Sequence, residues 1–288
     1  MDGTTPIDDG SGFSGPNWRF RLAVVLYTGV LGAGVAAVVV AWVGGSSTVL
    51  AGAAAAGALV GVVLGLAAAR ERDLPVRLGR GVAHRVGLVA PAGLFGIVVL
   101  AAWLGPGAER VVPVAAGATL GLFVTGYALG ILAGNRYVDA VASDDPLATW
   151  EWTPPGGGWL DWILLLAWTA MAAAAAVGGN WLNAVAWATI AVLWVASCLL
   201  EGRFQVGVGH TPEVRVHEAG LVKRRPYTQS VLPWDAVDHV RVREDELVFD
   251  RGLGDIRFDR DELEDLESVL EIIDRQLADG DEAVRTLE

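Results

Sequence analysis

Only one of the 288 residues is cysteine, and that scarcity excludes several kinds of site. A single cysteine cannot form a disulfide within the chain, nor a metal site that needs paired cysteines. Cys198 lies inside an apolar run, where burial keeps a thiol unreactive, so we expect it to be inert. The histidines show neither metal-ligand spacing nor a partner for a catalytic triad, and they stand at His84, His210, His217 and His239.

Six apolar runs also lack any charged residue in their interiors. A hydrocarbon core of roughly 30 Å needs about 20 helical residues, and each run approaches that length. A soluble amphipathic helix would carry a polar stripe every three or four residues, which these runs do not. We predict membrane-spanning helices at Leu22–Val43, Val49–Ala69, Val86–Leu104, Val111–Gly134, Trp162–Gly178 and Trp181–Leu200.

The absence of charged residues from the interiors of the predicted spans limits the functions that the sequence supports. Pumps, proton relays and voltage sensors place ionisable groups inside their spans because such costly groups are kept only for function. Their absence argues against ion-coupled transport. A passive pore or a lipid-handling groove stays open.

Arginine is distributed unevenly between the two sides of the predicted bundle. The short connections at 44–48, 105–110 and 179–180 hold one arginine and one glutamate, whereas residues 19–21 and the 70–85 connection hold seven arginines. Because cytoplasmic loops carry the basic excess, we predict a cell-membrane, multi-pass protein with both termini cytoplasmic. The acidic 135–161 loop departs from the rule. The short connections predict three antiparallel hairpins.

Glycines at four-residue spacing mark faces where helices can approach closely. We expect these faces to pack within the bundle, although homodimer contact or pore lining stays open. They are Gly57, Gly61 and Gly65 in the second span, and Gly126, Gly130 and Gly134 in the fourth.

Acidic residues outnumber basic ones, 33 to 21, and the excess lies mainly after the spans. Up to Leu200 there are nine basic and eleven acidic residues, and after it twelve and twenty-two. A nucleic-acid partner is excluded because binding phosphate backbones requires a basic patch. The acidic composition, with a single lysine, resembles that of proteins from halophilic archaea, whose charged surfaces maintain solubility in salt.

After Glu213 the apolar residues alternate with polar ones, which predicts five or six short antiparallel strands. Asp259 and Glu262 form a capping-box-like pair that predicts a closing helix. Its apolar face, expected to pack on the sheet, comprises Leu263, Leu266, Leu270, Ile273 and Leu277.

This C-terminal segment resembles the pleckstrin-homology-like domains of prokaryotic membrane proteins. The resemblance rests on the order of the strands, the closing helix and the sequence that runs from Val231 through Pro233-Trp234-Asp235 to Val237. The resemblance covers roughly Arg203 to Leu277. It implies a small bent barrel capped by a helix, used for binding or assembly, without catalytic residues. We therefore divide the chain into a disordered cytoplasmic tail (1–17), a six-span domain (18–200), a pleckstrin-homology-like domain (201–279) and a flexible end (280–288).

Two basic groups are candidate sites for lipid or a protein partner. The first group could hold lipid phosphates near a strand turn, although the adjacent turn is acidic; it comprises Lys223, Arg224 and Arg225. The second group, whose role in setting topology is the simpler interpretation, comprises Arg70, Arg72, Arg77 and Arg80.

Four acidic residues of the 135–161 loop are weak candidates for a divalent cation site, because carboxylate oxygens suit such ions. Loop acidity explains them equally well, and no known ligand spacing occurs. They are Asp139, Asp144, Asp145 and Glu151. We predict neither a bound metal nor a cofactor.

The combined pattern favours a non-enzymatic membrane protein that anchors a cytosolic domain for assembly or regulation. Membrane lipids and an unidentified protein are the expected partners, and the oligomeric state is open. The alternatives are a passive channel or a transporter of small solutes or lipids, and, third, an intramembrane enzyme.

Overall fold

The computed structural model describes residues 18–105, 108–153, 158–203, 211–243, 246–250, 255–259, 267 and 269–276. Its helices are α1 (Trp18–Trp42), α2 (Ser47–Ala68), α3 (Leu74–Gly79), α4 (Val82–Trp103), α5 (Ala108–Val141), α6 (Trp159–Val177) and α7 (Trp181–Leu200). The strands are β1 (Ala148–Glu151), β2 (Glu213–His217), β3 (Gly220–Arg224), β4 (Gln229–Pro233), β5 (His239–Val242), β6 (Glu246–Asp250) and β7 (Ile256–Asp259). A last helix, α8, is described over 269–276.

Six of the described helices are long and apolar enough to cross a membrane, which confirms the predicted spans. All are helices of 18 residues or more, whereas α3, which the apolar pattern did not predict, has six. Helix α5 continues to Val141, past the predicted end at Gly134. By length and composition, the chain is a multi-pass membrane protein.

Polar caps and glycines fix the ends of these helices. The Ser46 hydroxyl accepts a hydrogen bond from the Val49 amide at the start of α2, and the Asn180 side chain does the same for Asn183 in α7. Gly44 and Gly179 adopt positive φ in the two tight connections, at +78° and +76°. Only glycine enters this region without steric cost, so these residues allow the short turns between spans.

The chain forms two compact units. The first contains α1, α2 and Ala90–Thr125, which belong to α4 and α5; the second contains Asp73–Val89 and everything from Gly126 onward.

In the first unit, α1 and α2 pack antiparallel through backbone contacts at glycine. Gly57 faces Gly32, Gly61 faces the Thr28 carbonyl, and Gly65 faces Val25 one turn earlier. A β-carbon at Gly57 or Gly61 would overlap with the backbone of α1. The small residues therefore let the two helices approach more closely than larger side chains permit.

In the second unit, the strands form two antiparallel sheets, in the orders β1-β2-β3-β4 and β5-β6-β7. Strands β2–β7 confirm the five or six antiparallel strands predicted after Glu213. Val269 and Ile273 of α8 belong to the same buried cluster as the sheet residues, so the described part of the closing helix packs on the sheets as expected. The helix start and the predicted face residues Leu263, Leu266 and Leu277 lie outside the described residues.

Candidate functional site: the junction of helices and sheet

Strand β1 comes from the loop between α5 and α6, yet it is the edge strand of the sheet formed by the C-terminal segment. Ala148 pairs with Val216 and Trp150 with Val214, in antiparallel register. The Leu147 amide donates to the Val216 carbonyl at 2.8 Å, and the Trp152 amide donates to the Pro212 carbonyl at 3.0 Å. Helices α6 and α7 are thus inserted between two neighbouring strands of one sheet. The loop and the C-terminal segment must lie on the same side of the membrane.

Two tryptophans of this loop belong to the core of the sheet domain. Trp150 and Trp152 are each 6% exposed, and they stand two residues apart, on one face of the strand. Both rings meet Phe258 edge-on, with centroid separations of 5.8 Å and 6.0 Å. Because buried aromatic rings contribute large apolar areas, the sheet domain depends on residues from between the spans.

The side chain of Asn135 attaches α5 to the start of β4. Its Nδ2 donates to the Tyr227 carbonyl at 3.0 Å, and its Oδ1 accepts from the Gln229 amide at 2.8 Å. The amide thereby makes the pair of hydrogen bonds that a neighbouring strand would make. The polar extension of α5 beyond its apolar run therefore has a structural role: it holds the turn between β3 and β4.

Asp144 attaches the end of α5 to the turn between β2 and β3. Its Oδ1 lies 3.1 Å from Nδ1 of the buried His217, and its Oδ2 accepts from the Glu218 amide at 3.1 Å. Partial burial raises the pKa of the Asp144 carboxyl, but hydrogen bonds from the Glu218 and Asp144 amides and the contact with His217 outweigh burial. The pKa therefore lies below its ordinary value, so the native state favours the ionised form.

We expect Asp144→Ala to lower the free energy of unfolding by about 1–2 kcal/mol at neutral pH, through loss of these charged hydrogen bonds. A lowered pKa stabilises the native state above the unfolded value of 3.8, and that contribution is lost as the pH falls through the folded pKa. Urea unfolding at pH 7 and at acid pH should show the difference between wild type and variant shrinking on acidification. The exposed neighbour supplies the control, Asp145→Ala, for which only a small difference from the wild type is expected.

Asp161 connects the first turn of α6 with the segment after α7. It is 6% exposed, its Oδ2 accepts from the Gly158 amide at 3.0 Å, and its Oδ1 lies 3.2 Å from Arg203 Nη1. Arg203 Nε also lies 2.8 Å from Glu201. A buried carboxylate is tolerated when it is paired and hydrogen-bonded. This pair holds the start of α6, which follows β1, next to the end of α7, which precedes β2.

Arg203→Gln removes the guanidinium and should lower the free energy of unfolding by about 1–2 kcal/mol, because Asp161 keeps its hydrogen bond from the Gly158 amide but loses its ionic partner. The double variant with Asp161→Asn should recover part of that loss, since no charge is then left buried. A double-mutant cycle on unfolding in detergent measures the coupling. Additive effects of the two changes would show that the pair is not coupled.

Comparison of the chain with protein-family models, curated proteins and solved structures gives no match.

The predicted basic turn of the sheet domain lies at this junction. The Lys223 ammonium is 4.9 Å from the centroids of both Trp152 and Phe258, and the Arg225 guanidinium is 5.6 Å from Trp152. Arg224 Nη1 is 3.1 Å from Glu213 Oε1. The structure thus engages all three cations with aromatic rings or a carboxylate of the same domain, which favours a role in stability.

The second basic group lies on the connection between α2 and α4. All four side chains are exposed there: Arg70, Arg72, Arg77 and Arg80. Helix α3 within this connection contacts α5, because Gly79 lies directly against the Ala133 carbonyl and Tyr137 Cβ.

The acidic loop residues are not gathered around a common point. Asp139 lies 3.8 Å from Arg136, Asp144 contacts His217, and Glu151 stands opposite Glu213 in the sheet; Asp145 is exposed. Within the described ranges, no group of three histidine, cysteine, aspartate or glutamate side chains could hold a metal ion.

The glycines of α5 have a different environment from those of α2. Gly126, Gly130 and Gly134 are all buried. Gly130 and Gly134 lie against the side chain of Arg85.

Sequence reasoning missed β1, Asn135 and α3. The Trp150-Glu151-Trp152 alternation was the available signal for β1, although a strand of four residues without a neighbour in sequence is weak by itself. No local signal marks Asn135, because its partners are more than 90 residues away in sequence.

Proposed function

We propose that the chain is a non-enzymatic protein of the cell membrane, with six spans in three antiparallel hairpins, whose pleckstrin-homology-like domain docks a protein partner on the cytoplasmic side. The observation that carries this proposal is the pairing of β1 with β2, because it inserts α6 and α7 into the docking domain. A partner bound to the sheets would act directly on the ends of two membrane helices. This connection suits assembly or regulation better than a flexibly attached tail would.

The order of the elements supports the pleckstrin-homology-like assignment. Strands β2, β3 and β4 form an antiparallel meander to which β1 adds as an edge strand, and β5–β7 form a second meander that is followed by α8. They surround one core that includes Trp150, Leu221, Phe249, Phe258 and Ile273. The resemblance implies antiparallel strands closed by a helix, the order in which β2–β7 and α8 occur.

The positions of the arginines support a cytoplasmic sheet domain. Gly79 of α3 contacts Ala133 and Tyr137 of α5, and Asn135 between them contacts the sheet. Helix α3 of the arginine-rich connection and the sheet domain therefore lie at the same end of α5. Because basic connections stay in the cytoplasm, that end is the cytoplasmic one.

Tryptophans at the ends of the spans support the same frame, since indole rings favour the headgroup level. Each of the six is at least 59% exposed: Trp18, Trp159 and Trp162 at the proposed inner ends, and Trp42, Trp103 and Trp181 at the outer ends.

The hydroxyl groups inside the spans favour docking over transport. Each of those that follow donates to a backbone carbonyl three or four residues earlier in its own helix: Thr28, Thr119, Thr125, Thr169, Thr189 and Ser197. Hydroxyls satisfied in this way need no partner along a polar pathway. The glycines of α2 that could line a pore are in contact with α1 instead.

Site-specific photo-crosslinking in native membranes tests the proposal. A photoreactive residue at the exposed positions Tyr227 or Arg241 of the sheet domain should capture one defined protein, whereas the lipid-facing position Val63 of α2 should not. Capture should be lost in Trp150→Ala, which truncates a core residue of the sheet domain, and kept in Thr149→Ala. Identical capture at all three positions, or selective solute flux in reconstituted vesicles without any capture, would reject the docking function.

A further inference from the structure

Arg85, in the first turn of α4, lies along a glycine groove on α5. A methyl group on Gly134 would be 3.5 Å from Arg85 Nη1, and one on Gly130 would be 3.9 Å from Arg85 Cβ and Cγ. The side chain therefore runs along about one turn of α5, over two positions that have no side chain. An alanine at Gly134 would just touch the guanidinium, whereas a longer side chain there would compete with it for this space.

The charge of Arg85 has no counterpart within the described part of the chain. The side chain is half-buried, its Nε is buried without a hydrogen-bond partner, and no described carboxylate forms an ion pair with it. Taking a charged donor out of water without a partner is costly. Arg215 and Arg224 of the sheet domain also have a buried Nε without a hydrogen-bond partner, but their guanidinium groups are paired with Glu213. Arg241 and Arg257 have carboxylate partners as well, so Arg85 differs from these arginines in its missing ion pair.

The covalent connections place Arg85 at the membrane surface. The segment from Ala69 to Gly81 joins two membrane-spanning helices, and α3 within it is fixed against α5 at Gly79. Arg80, at the end of α3, is exposed five residues before Arg85. At this level the available anions are the phosphates of lipid headgroups, and basic segments next to a span are attracted to them.

We propose that Arg85 binds the phosphate diester of an anionic phospholipid, with Arg80 as a second contact. A guanidinium matches phosphate oxygens with two parallel hydrogen bonds, which the flexible ammonium of lysine cannot reproduce. The bound lipid supplies the missing counter-charge and fixes the start of α4 against α5. The site is independent of the docking function proposed above, because it uses α3, α4 and α5 but no residue of the sheets.

Native mass spectrometry of the full chain in neutral detergent tests this site, with phosphatidylglycerol and phosphatidylcholine as probes. The wild type should retain phosphatidylglycerol preferentially. Arg85→Gln should weaken its retention about tenfold or more, as expected for loss of charged hydrogen bonds. Arg85→Lys should give an intermediate loss, because the charge stays but the paired geometry does not.

Three further variants separate lipid binding from folding. Gly134→Leu fills the groove while keeping the arginine, and should also lose the lipid preference; Gly117→Leu, at an open position of the same helix, should not. Arg241→Gln removes an exposed arginine of the sheet domain and should leave retention unchanged. Equal retention in wild type and Arg85→Gln would overturn the proposal. So would displacement of the lipid by inorganic phosphate, which would indicate a free-anion site.

Discussion

Trp150→Ala is expected to destabilise the sheet domain by about 3–5 kcal/mol, although Trp150 lies between α5 and α6. The indole is 6% exposed, contacts Phe258 edge-on and belongs to the core shared by both sheets. Truncation removes its apolar contacts and leaves a cavity that the strands cannot fill. Hydrogen exchange of the β2 and β3 amides should therefore accelerate by about a hundredfold or more, the equivalent of this loss.

Thr149→Ala is the matched control, because Thr149 is exposed on the same strand and keeps all backbone hydrogen bonds. Its exchange rates should match those of the wild type. If Trp150→Ala leaves β2 and β3 as protected as before, the C-terminal segment folds without the loop, and the shared core is refuted.

Gly61→Leu is expected to separate α1 from α2. A β-carbon at Gly61 would overlap with the Thr28 carbonyl and the Gly29 Cα, and backbone cannot move aside as a side chain can. Overpacking of this kind costs about 1–3 kcal/mol, and more where backbone is involved. The thermal midpoint of the first transition in detergent should fall by about 5–10 °C.

Gly52→Leu is the control for this change, since Gly52 is on the same helix and has nothing within 4 Å of the position of a β-carbon. The added leucine there should meet lipid or detergent and leave the midpoint unchanged. Equal shifts for both variants would show that leucine disturbs α2 by itself, without any close contact between the helices.

The membrane helices could be predicted from the sequence because their physical cause is local. An uninterrupted apolar run of about 20 residues satisfies both the length and the solvent requirement of a span. The extension of α5 from Asn135 to Val141 was not predicted, because Asn135, Arg136 and Asp139 interrupt the apolar run and contacts with the sheet support this part of the helix. Asn135, for example, bonds to Tyr227 and Gln229.

Most of the sheet domain could also be predicted, since alternation at Val214 and Val216 marks a half-buried strand and the short apolar run Leu247–Phe249 marks a strand buried on both faces. The contribution of β1 could not, because pairing between Trp150 and Val214 joins segments separated by two membrane helices. Local patterns do not specify such long-range partners. The pleckstrin-homology-like resemblance, the cytoplasmic location and the docking role stay predictions.

The candidate site followed from the sequence only in part. Lys223 and Arg225 were selected for their charge, and the structure places them over Trp152, a partner that the sequence did not indicate. Arg85 was counted only as a topology determinant. Its position over Gly130 and Gly134 depends on how α4 packs on α5, which no spacing within either helix reveals.

A disulfide between the loop and the C-terminal segment tests the central claim, that both form one sheet. Thr149 and Arg215 are directly paired in the register of β1 and β2, so cysteines at these positions, with Cys198→Ala, have the separation that a disulfide requires. Oxidation in native membranes should link the fragments produced by cleavage at Arg203. Glu213→Cys with Arg224→Cys, a pair within the C-terminal segment, serves as the positive control; because both cysteines lie on one fragment, its disulfide is detected as the loss of free thiols. Formation of both disulfides is the predicted result; formation of the control disulfide alone would contradict the shared sheet.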